Sequence, residues 1–342
     1  MLRCFLLTVA SFAVRAVDPA SLNIGELIPL STSQLATLVR CLKWGLPLWA
    51  LADFNSALNR WALNRWIWKN DTSGWEWKRE IAVVTGGSAG IGACVVKKLV
   101  SHQIKVAVLD VGPLSESFTA EERAYIHYYK CDVASRDEIH TAAEAIRSDM
   151  GNPSILINNA GIGNSWTIVD IPLENLRKLF DINLLSHWST VQEFLPDMLA
   201  KKKGHIMSVA SLASFVALAG GADYSCTKAA LLAFHEALTQ ELKHRHKCPQ
   251  IKTSIVHPGW TKTAITAHPS VEAGLKRIRV RLLEPEDVAE AMVSQIIAAK
   301  NGQIVLGPKL APSIRALPLW LQEVIRDSQA NVVTLHGSTA RE

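Results

Sequence analysis

The chain has 342 residues, of which 49% are hydrophobic and 20% are charged, and its formal net charge is +5. This length supports one large domain with a full core, and a small, dispersed positive charge excludes the usual kind of nucleic-acid-binding protein. The six cysteines are scattered without paired spacing, so we expect neither a disulfide framework nor a zinc site, and no other metal site is indicated.

The first 78 residues are apolar and rich in tryptophan. Residues 1–14 resemble a short signal or anchor segment, but they are too few to span a bilayer as a helix. Seven of the eleven tryptophans lie here, interleaved with basic residues, at positions 44, 49, 61, 66, 68, 75 and 77. Residues 59–68 are predicted to form an amphipathic helix. We expect residues 1–78 to associate with a membrane surface; the alternatives are packing on the chain's own domain, or a dimer arm.

From residue 79 onward, apolar runs alternate with helical patterns. Strands are predicted near 81–85, 105–110, 126–130, 154–157, 205–209, 251–256 and 303–306, and helices near 90–101, 135–150, 172–200, 222–246 and 285–299. This alternation predicts an α/β fold of the Rossmann type, a doubly wound parallel sheet of about seven strands. Because the strands lack a polar alternate face, both faces of the sheet should be buried. We expect one domain over residues 79–308, followed by a helical tail over 309–342.

A glycine-rich turn follows the first strand. The spacing Gly86-x-x-x-Gly90-x-Gly92 joins an apolar run to a helical pattern, which is the context that a dinucleotide fingerprint requires. Glycines let the backbone approach a pyrophosphate, and the amide groups at the helix start face the anion. The candidate cofactor-binding residues of this turn are Gly86, Ser88, Gly90, Ile91 and Gly92. The alternative is a glycine-rich turn with no ligand.

The second strand ends in an acid, Asp110. A carboxylate at this point can accept hydrogen bonds from both ribose hydroxyls and would repel a 2′-phosphate. Neither Ser88 and Ala89 in the glycine turn nor the residues after Asp110 are basic. We therefore predict NAD rather than NADP as the cofactor; the alternative is that Asp110 is only a turn residue.

Three later turns supply the other candidate cofactor contacts. Asp132 and Val133 follow the third strand, where the acid could meet the adenine amino group. Small polar residues follow the fourth strand and leave room for a ligand, with candidates Asn159, Ala160 and Gly161. The turn after the sixth strand could close over the nicotinamide end, with candidates Pro258, Gly259, Thr261 and Thr263.

The candidate catalytic residues are Ser211, Tyr224 and Lys228. Because Tyr224 and Lys228 are four residues apart, they share one face of a helix, and an ammonium there should lower the phenol pKa from about 10. A tyrosine tuned in this way can exchange a proton with a carbinol or carbonyl oxygen, and Ser211 can hydrogen-bond that oxygen. Asn183 lies mid-helix, where its propensity is poor, which hints at another use for its side chain. Taken alone, Tyr-x-x-x-Lys also fits a buried tyrosine and a solvated lysine.

Together, these motifs resemble the short-chain dehydrogenase/reductase superfamily over roughly residues 79–308. The resemblance rests on Thr85-Gly86-x-x-x-Gly90-x-Gly92, Asp132, Asn158-Asn159-Ala160-Gly161, Asn183, Ser211, Tyr224-x-x-x-Lys228 and Pro258-Gly259. It implies a catalytic tetrad, with Tyr224 as general acid/base and Ser211 polarising the substrate oxygen. Lys228 would lower the Tyr224 pKa and hold the nicotinamide ribose, and Asn183 would keep a water in a proton relay. Tyr224 and Lys228 are thus also cofactor contacts.

Within the superfamily, the N-terminal extension and Asp110 are most similar to the membrane-associated branch of retinol and 17β-hydroxysteroid dehydrogenases. The resemblance implies hydride transfer between NAD(H) and a lipophilic alcohol or carbonyl, such as a retinoid, steroid or fatty alcohol. It also implies a homo-oligomer. The expected location is the membrane of the endoplasmic reticulum or a lipid droplet, with the catalytic domain facing the cytosol; the alternative is a cytoplasmic protein. Residues 262–284 are the candidate substrate lid; the alternative is a surface helix pair. Two rival functions are an NADPH-dependent carbonyl reductase and a non-catalytic nucleotide-binding scaffold at a membrane.

Overall fold

The computed structural model of the chain describes residues 31–277 and 279–333, apart from the side chains of residues 32, 35 and 270. Expectations for residues 1–30 and 334–342 lie outside the described residues. The chain divides into two compact units, with the division after Lys69. The predicted boundary between a membrane-associating extension and a catalytic domain lies nine residues later, after residue 78, and stays a prediction.

The described part of the first unit, residues 31–69, contains one long helix, α1 (Thr32–Leu63), which includes Pro47. Ser31 caps it in a capping box with Gln34. Exposed apolar side chains on α1 include Leu38, Leu42, Trp44, Leu48, Trp49, Leu51 and Phe54. At 100° per residue these positions are spread around the helix instead of forming one stripe. Within residues 31–277 and 279–333, no helix is long and apolar enough to cross a membrane.

The predicted amphipathic helix over residues 59–68 is wrong in its second half. Helix α1 ends at Leu63, and Arg65 and Trp66 then adopt positive φ angles of 56° and 61°. The Trp61 ring meets Trp66 and Trp68 edge-on, with centroids 5.0 and 5.5 Å away. Clustering of these rings accompanies the tight turn, and such tertiary contacts override local helix propensity.

The second unit is a seven-stranded parallel sheet in the order β3-β2-β1-β4-β5-β6-β7, so the predicted Rossmann-type fold is confirmed. Its strands are β1 (Ile81–Thr85), β2 (Lys105–Asp110), β3 (Ile126–Lys130), β4 (Ile155–Asn158), β5 (His205–Val209), β6 (Lys252–Pro258) and β7 (Gly302–Leu306). The strand order reverses between β1 and β4. In open parallel sheets, ligands bind beyond the carboxyl ends of the strands at this point.

The helices of the second unit follow the predicted alternation. They are α2 (Gly90–Ser101), α3 (Ala120–Arg123), α4 (Arg136–Asp149), α5 (Leu173–Phe180), α6 (Ser186–Lys201), α7 (Ala222–His244), α8 (Pro269–Arg277), α9 (Pro285–Ile297) and α10 (Leu319–Gln329). Short 3-10 helices cover Trp77–Arg79, Leu212–Ser214 and Ala311–Ala316. The predicted single helix over 172–200 is instead three pieces, because a π-helical segment, Asp181–Leu185, separates α5 from α6.

Apolar side chains cover both faces of the sheet. On one face Val84 and Val108 join the side chains of α2 and α9, and on the other Val83 and Leu109 join those of α4, α6 and α7. Trp75 and Trp77 stack on each other with centroids 4.9 Å apart and pack against the first of these clusters. These two half-buried tryptophans therefore pack against the core of the second unit.

Candidate active site

The glycine turn is built so that its backbone folds tightly onto the start of α2. Gly86 adopts φ +63°, and a Cβ there would lie 2.9 Å from the Ala160 Cα. A Cβ on Gly92 would lie 2.0 Å from the Gly86 carbonyl oxygen, so a side chain cannot be accommodated at either position. Gly90 also adopts a positive φ, but a Cβ there would contact only the Thr263 side chain, with its methyl group at 3.5 Å. The turn therefore has the compact, side-chain-free backbone that a pyrophosphate requires.

The neighbouring strand end holds the turn in place. The Asn159 side chain donates to the carbonyl oxygens of Thr85 and Gly86, at 3.0 and 2.9 Å. The Thr85 hydroxyl in turn accepts from the amides of Asn159 and Ala160, at 3.0 and 3.1 Å. Asn159 and Ala160 thus shape the cofactor turn from behind through their side chain and backbone. Thr85 was not among the sequence-based site candidates, although it stands first in the glycine motif.

Asp110 lies at the carboxyl end of β2, beside the glycine turn. One carboxylate oxygen accepts from the Ser88 amide at 2.9 Å, and the other accepts from the Gly112 amide at 3.1 Å. Asp110 therefore stabilises a turn, which is the part of the alternative interpretation, a turn residue, that the structure shows. The same bonds fix a half-buried carboxylate next to the glycine turn, where ribose hydroxyls would lie.

Asp132 and Val133 follow β3, the strand next to β2. An Asp132 carboxylate oxygen accepts from the Ala134 amide at 2.9 Å, and the residue remains half-buried. Val133 is buried in the core, and Ile91 of α2 is half-buried against the opposite core cluster. Contact of these residues with an adenine ring stays a prediction.

Asn183 is fully buried in the π-helical segment, where it pairs with the backbone of Ile162. Its amide nitrogen donates to the Ile162 carbonyl and its oxygen accepts from the Ile162 amide, both at 2.8 Å. A Cβ on Gly161 would lie 3.4 Å from the Asn183 oxygen and 3.6 Å from the Lys228 Nζ. The absence of a side chain at Gly161 therefore lets the asparagine and the lysine approach the same point.

Lys228 is buried on α7, and its ammonium donates to the Val209 carbonyl oxygen at 2.9 Å. Its Nζ lies 5.4 Å from the centroid of the Tyr224 ring. Burial lowers the pKa of Lys228 to about 8. The lysine thus faces both the carboxyl end of β5 and the tyrosine, as the four-residue spacing predicts.

The expected lowering of the Tyr224 pKa is not found in the protein alone. Burial raises the Tyr224 pKa above 10, and a side-chain hydrogen bond with Ser211 acts in the opposite direction. The physical reason is that desolvation of the buried phenolate outweighs that hydrogen bond. The tyrosine and the serine nevertheless lie within hydrogen-bonding reach of one another.

Ser211 begins the turn after β5, and its hydroxyl accepts from the Ala213 amide at 3.1 Å. The buried ring of His257 binds the Ser211 carbonyl through Nδ1 at 3.1 Å. Burial lowers the pKa of His257 to about 4, so the ring is neutral at pH 7 and Nδ1 is the donor to the carbonyl. His257 is a neighbour of the site that was not among the sequence-based candidates.

The turn after β6 lies against the glycine turn. The Gly259 amide donates to the Leu306 carbonyl at 2.8 Å, and the Thr261 hydroxyl donates to the Gly259 carbonyl at 3.0 Å. Pro258 ends β6, and Thr263 contacts the open side of Gly90 as described above. The structure therefore brings this turn to the same sheet edge as the glycine motif.

Sequence reasoning also missed Asp223, which precedes the tyrosine. Its carboxylate accepts from the Tyr224 amide at 2.8 Å and from the Asn164 side chain at 3.1 Å. An acid in the first turn of a predicted helix was the available signal. Asp223 therefore links the start of α7 to the loop after β4.

A separate polar cavity of about 200 Å³ lies at the opposite edge of the sheet, at the amino ends of the strands. It is lined by Glu76, Arg79, Glu80, Ile81, Asn152, Ser154, Lys201 and Lys203. The motif turns follow the carboxyl ends of the strands, and Asn183 and Lys228 face the same edge from their helices, so this cavity is not the candidate active site. Among the residues that the structure describes, no group of three potential ligands could hold a metal ion.

Comparisons with known proteins agree with this geometry. A family model described as short chain dehydrogenase matches residues 80–274. The dehydrogenase RED2 of Cochliobolus heterostrophus is 41% identical over 203 residues, which cover 59% of this chain and 76% of that protein. Estradiol 17-beta-dehydrogenase 11 of Mus musculus is 31% identical over 250 residues, covering 72% of this chain and 80% of the relative.

Two solved structures are also similar. A metagenomic short-chain oxidoreductase in complex with NADP has a TM-score of 0.54 and 26% identity, and the match covers 68% of this chain and 98% of that one. The ligand-free aldohexose dehydrogenase of Thermoplasma acidophilum has a TM-score of 0.56 at 21% identity, covering 66% and 91%. The second likeness concerns the fold alone.

Proposed function

Because this chain belongs to the short-chain dehydrogenase family, we propose that it transfers a hydride between NAD(H) and the carbon of a lipophilic alcohol or carbonyl. Membership of the family makes it an oxidoreductase with a dinucleotide-binding fold; the direction, substrate class and cofactor preference are our proposal. The observation that carries it is the convergence of Ser211, Tyr224 and Lys228 at the carboxyl end of β5.

The residues fit the cofactor that the fold implies. The side-chain-free turn over Gly86–Gly92 would hold the pyrophosphate, Asp110 the adenosine ribose, and Lys228 the nicotinamide ribose. When bound, NAD⁺ supplies the hydride acceptor. Tyr224 would take the hydroxyl proton of an alcohol, and Ser211 would hold the substrate oxygen beside it. Asn183 keeps the backbone next to Gly161 fixed, and Lys228 supplies positive charge within reach of the phenol.

The preference for NAD over NADP rests on Asp110. Its carboxylate is fixed by two amide donors beside the glycine turn, so a 2′-phosphate would bring like charges together there. An NADPH-dependent carbonyl reductase is the second candidate, since one similar structure contains NADP. The two candidates differ in the cofactor that supports turnover.

The lipophilic substrate class has two supports. Relatives of this chain include estradiol 17-beta-dehydrogenase 11 proteins, whose name refers to a steroid. In addition, the first unit exposes large apolar side chains, with Trp44 and Leu48 each about two-thirds exposed. Exposed tryptophans and neighbouring cations suit the interface of a lipid surface, where lipophilic substrates concentrate.

The test of the proposed function is cofactor turnover by the purified full chain. NAD(H) and NADP(H) are offered separately against a panel of retinoid, steroid and fatty alcohols and their carbonyl forms. Turnover with NAD(H) supports the proposal, and turnover only with NADP(H) establishes the carbonyl-reductase alternative. Tight nucleotide binding without turnover of any compound would favour the non-catalytic scaffold.

We further propose that the first unit attaches the enzyme to a cytosol-facing lipid surface, at the endoplasmic reticulum or a lipid droplet. In a flotation assay with phosphatidylcholine/phosphatidylserine vesicles, the full chain should float. Replacing Trp44 and Trp49 by serine should reduce the floating fraction, because two exposed rings are lost. Replacing Ser33 and Thr37 by alanine is the control on the same helix. Equal flotation of both variants would contradict the proposal.

A further inference from the structure

The catalytic serine loop, residues 211–215, is held from outside by an arginine of the C-terminal segment. Arg315 lies in the 3-10 helix Ala311–Ala316, and its Nε donates to the Phe215 carbonyl at 3.2 Å. Its Nη2 donates to the Ser214 carbonyl at 3.4 Å. The Ser214 hydroxyl in turn donates to the Lys228 carbonyl at 2.8 Å. Arg315 therefore binds the loop that carries Ser211, and the same loop is hydrogen-bonded to α7, the helix of Lys228.

Arg315 is itself fixed by helix α10. The Gln322 side chain is buried and donates to the carbonyl oxygens of Arg315 and Leu317, at 3.2 and 2.7 Å. The Gln322 oxygen accepts from Arg326 at 2.7 Å. A buried amide with both of its ends satisfied is a costly feature to disturb. The backbone that presents Arg315 to the serine loop is thus well defined.

The same C-terminal segment continues to the lid. Val332 is buried in a cluster with Val271 and Leu275 of helix α8, the described helix of the candidate lid. A Cβ on Gly274 would lie only 1.8 Å from the Val332 carbonyl oxygen. Arg277 of α8 also donates to the carbonyl of Asn331. The lid helix and the C-terminal backbone therefore touch directly, at a point where only glycine fits.

We propose that residues 311–333 form a latch that holds the catalytic serine loop and the lid helix in one arrangement. In this latch, Arg315 is a positioning residue for Ser211. Gly274 is the position on the lid helix against which the C-terminal backbone packs. The latch lies outside residues 80–274, which the family model matches, so it is a feature of this chain beyond that match. Its role in turnover rests on the proposed dehydrogenase function; its role in the fold does not.

The first test compares steady-state kinetics of Arg315→Ala, Arg315→Lys and the control Lys309→Ala, an exposed cation two residues before the latch. Loss of two charge-assisted hydrogen bonds should lower kcat by about tenfold through misplacement of Ser211, with unchanged affinity for NADH. Arg315→Lys should recover part of the rate, because an ammonium can reach only one carbonyl. A kcat for Arg315→Ala equal to that of Lys309→Ala would overturn the positioning role.

The second test needs no substrate. Amide hydrogen exchange of the full-length wild type and Arg315→Ala should show faster exchange at residues 211–215 in the variant. Gly274→Ala should speed exchange at both α8 and residues 330–333, although alanine favours a helix by about 1 kcal/mol. Ala273→Ser, at an exposed neighbouring position, is the control. Wild-type inactivity on every substrate would defeat the proposed function alone, whereas unchanged exchange in both variants would defeat the latch alone.

Discussion

At the scale of single residues, Lys228 is engaged chiefly with the backbone. Its ammonium binds the Val209 carbonyl, and burial brings its pKa to about 8, while burial raises the pKa of Tyr224. The four-residue spacing correctly predicts that the two side chains are neighbours. It could not predict the balance of desolvation against charge, because that balance depends on how deeply α7 is packed.

The role of Asp110 can be tested by a single substitution. Asp110→Asn removes the negative charge but leaves an oxygen that can accept from Ser88 or Gly112. Because the repulsion of a 2′-phosphate is lost, the ratio of kcat/KM for NAD(H) to that for NADP(H) should fall at least about tenfold. Initial rates with both cofactors measure this ratio.

Asp132→Asn is the matched control for Asp110→Asn. It also removes one carboxylate from the edge formed by β2 and β3, but at the predicted adenine end, which the two cofactors share. Its cofactor ratio should stay at the wild-type value. An equal change of the ratio in both variants would show that general charge, and not the position of Asp110, sets the preference.

At the scale of elements, the π-helical segment Asp181–Leu185 orients Asn183 toward Ile162. Replacing Asn183 by leucine leaves the amide and carbonyl of the half-buried Ile162 without their side-chain partner. We expect the free energy of unfolding to fall by about 2 kcal/mol, because two partly buried polar groups lose a hydrogen bond. Urea unfolding at neutral pH measures the loss.

Asn175→Leu is the control: it makes the same substitution on the preceding helix α5, outside the π-helical segment, and its free energy of unfolding is measured in the same way. Its effect should be smaller, at most about 1 kcal/mol, which is the typical loss for a single substitution, because Asn175 is only half-buried. A loss of the same size at both positions would mean that the pairing with Ile162 does not stabilise the fold.

The sequence predicted most elements because the physical signals there are local. Bounds of the seven strands were right within two residues, since buried parallel strands are short apolar runs between turn residues. The π-helical segment and the end of α1 at Leu63 could not be read in this way. They depend on a buried side chain pairing with a distant backbone and on tryptophan rings packing together. The poor helix propensity of Asn183 was the only local hint.

At the scale of the whole molecule, two buried histidines should make stability depend on pH. Burial lowers the pKa of His187 to about 3, with a smaller contribution from Lys228, and that of His257 to about 4. Below about pH 6.5 the unfolded chain binds more protons at these residues than the folded protein does. Their contribution to stability is therefore complete above pH 6.5 and is lost as the pH falls toward 4.

The size of this effect is about 1.4 kcal/mol per pH unit for each histidine. Urea unfolding of His187→Gln should thus show a shallower decline between pH 6.5 and 4.5 than the wild type. His127→Gln, at an exposed position of β3, is the control and should keep the wild-type slope. Identical slopes for His187→Gln and wild type would contradict burial of a neutral His187.

The candidate site as a whole was predictable because its residues occur at the ends of consecutive strands, which a parallel sheet brings to one edge. The contributions of His257 and Arg315 were not predictable. Each acts on the serine loop through a backbone carbonyl, and such contacts leave no characteristic spacing in the sequence.

The most direct test of the account is the rate of hydride transfer in Tyr224→Phe. Stopped-flow absorbance at the nicotinamide band follows a single turnover of a substrate identified with the wild type, and fluorescence titration gives the Kd of NADH. The account predicts a rate at least about 100-fold below wild type with a nearly unchanged Kd, since only the proton donor and acceptor is removed. A variant that keeps more than about a tenth of the wild-type rate would contradict the assignment of Tyr224 as the general acid/base.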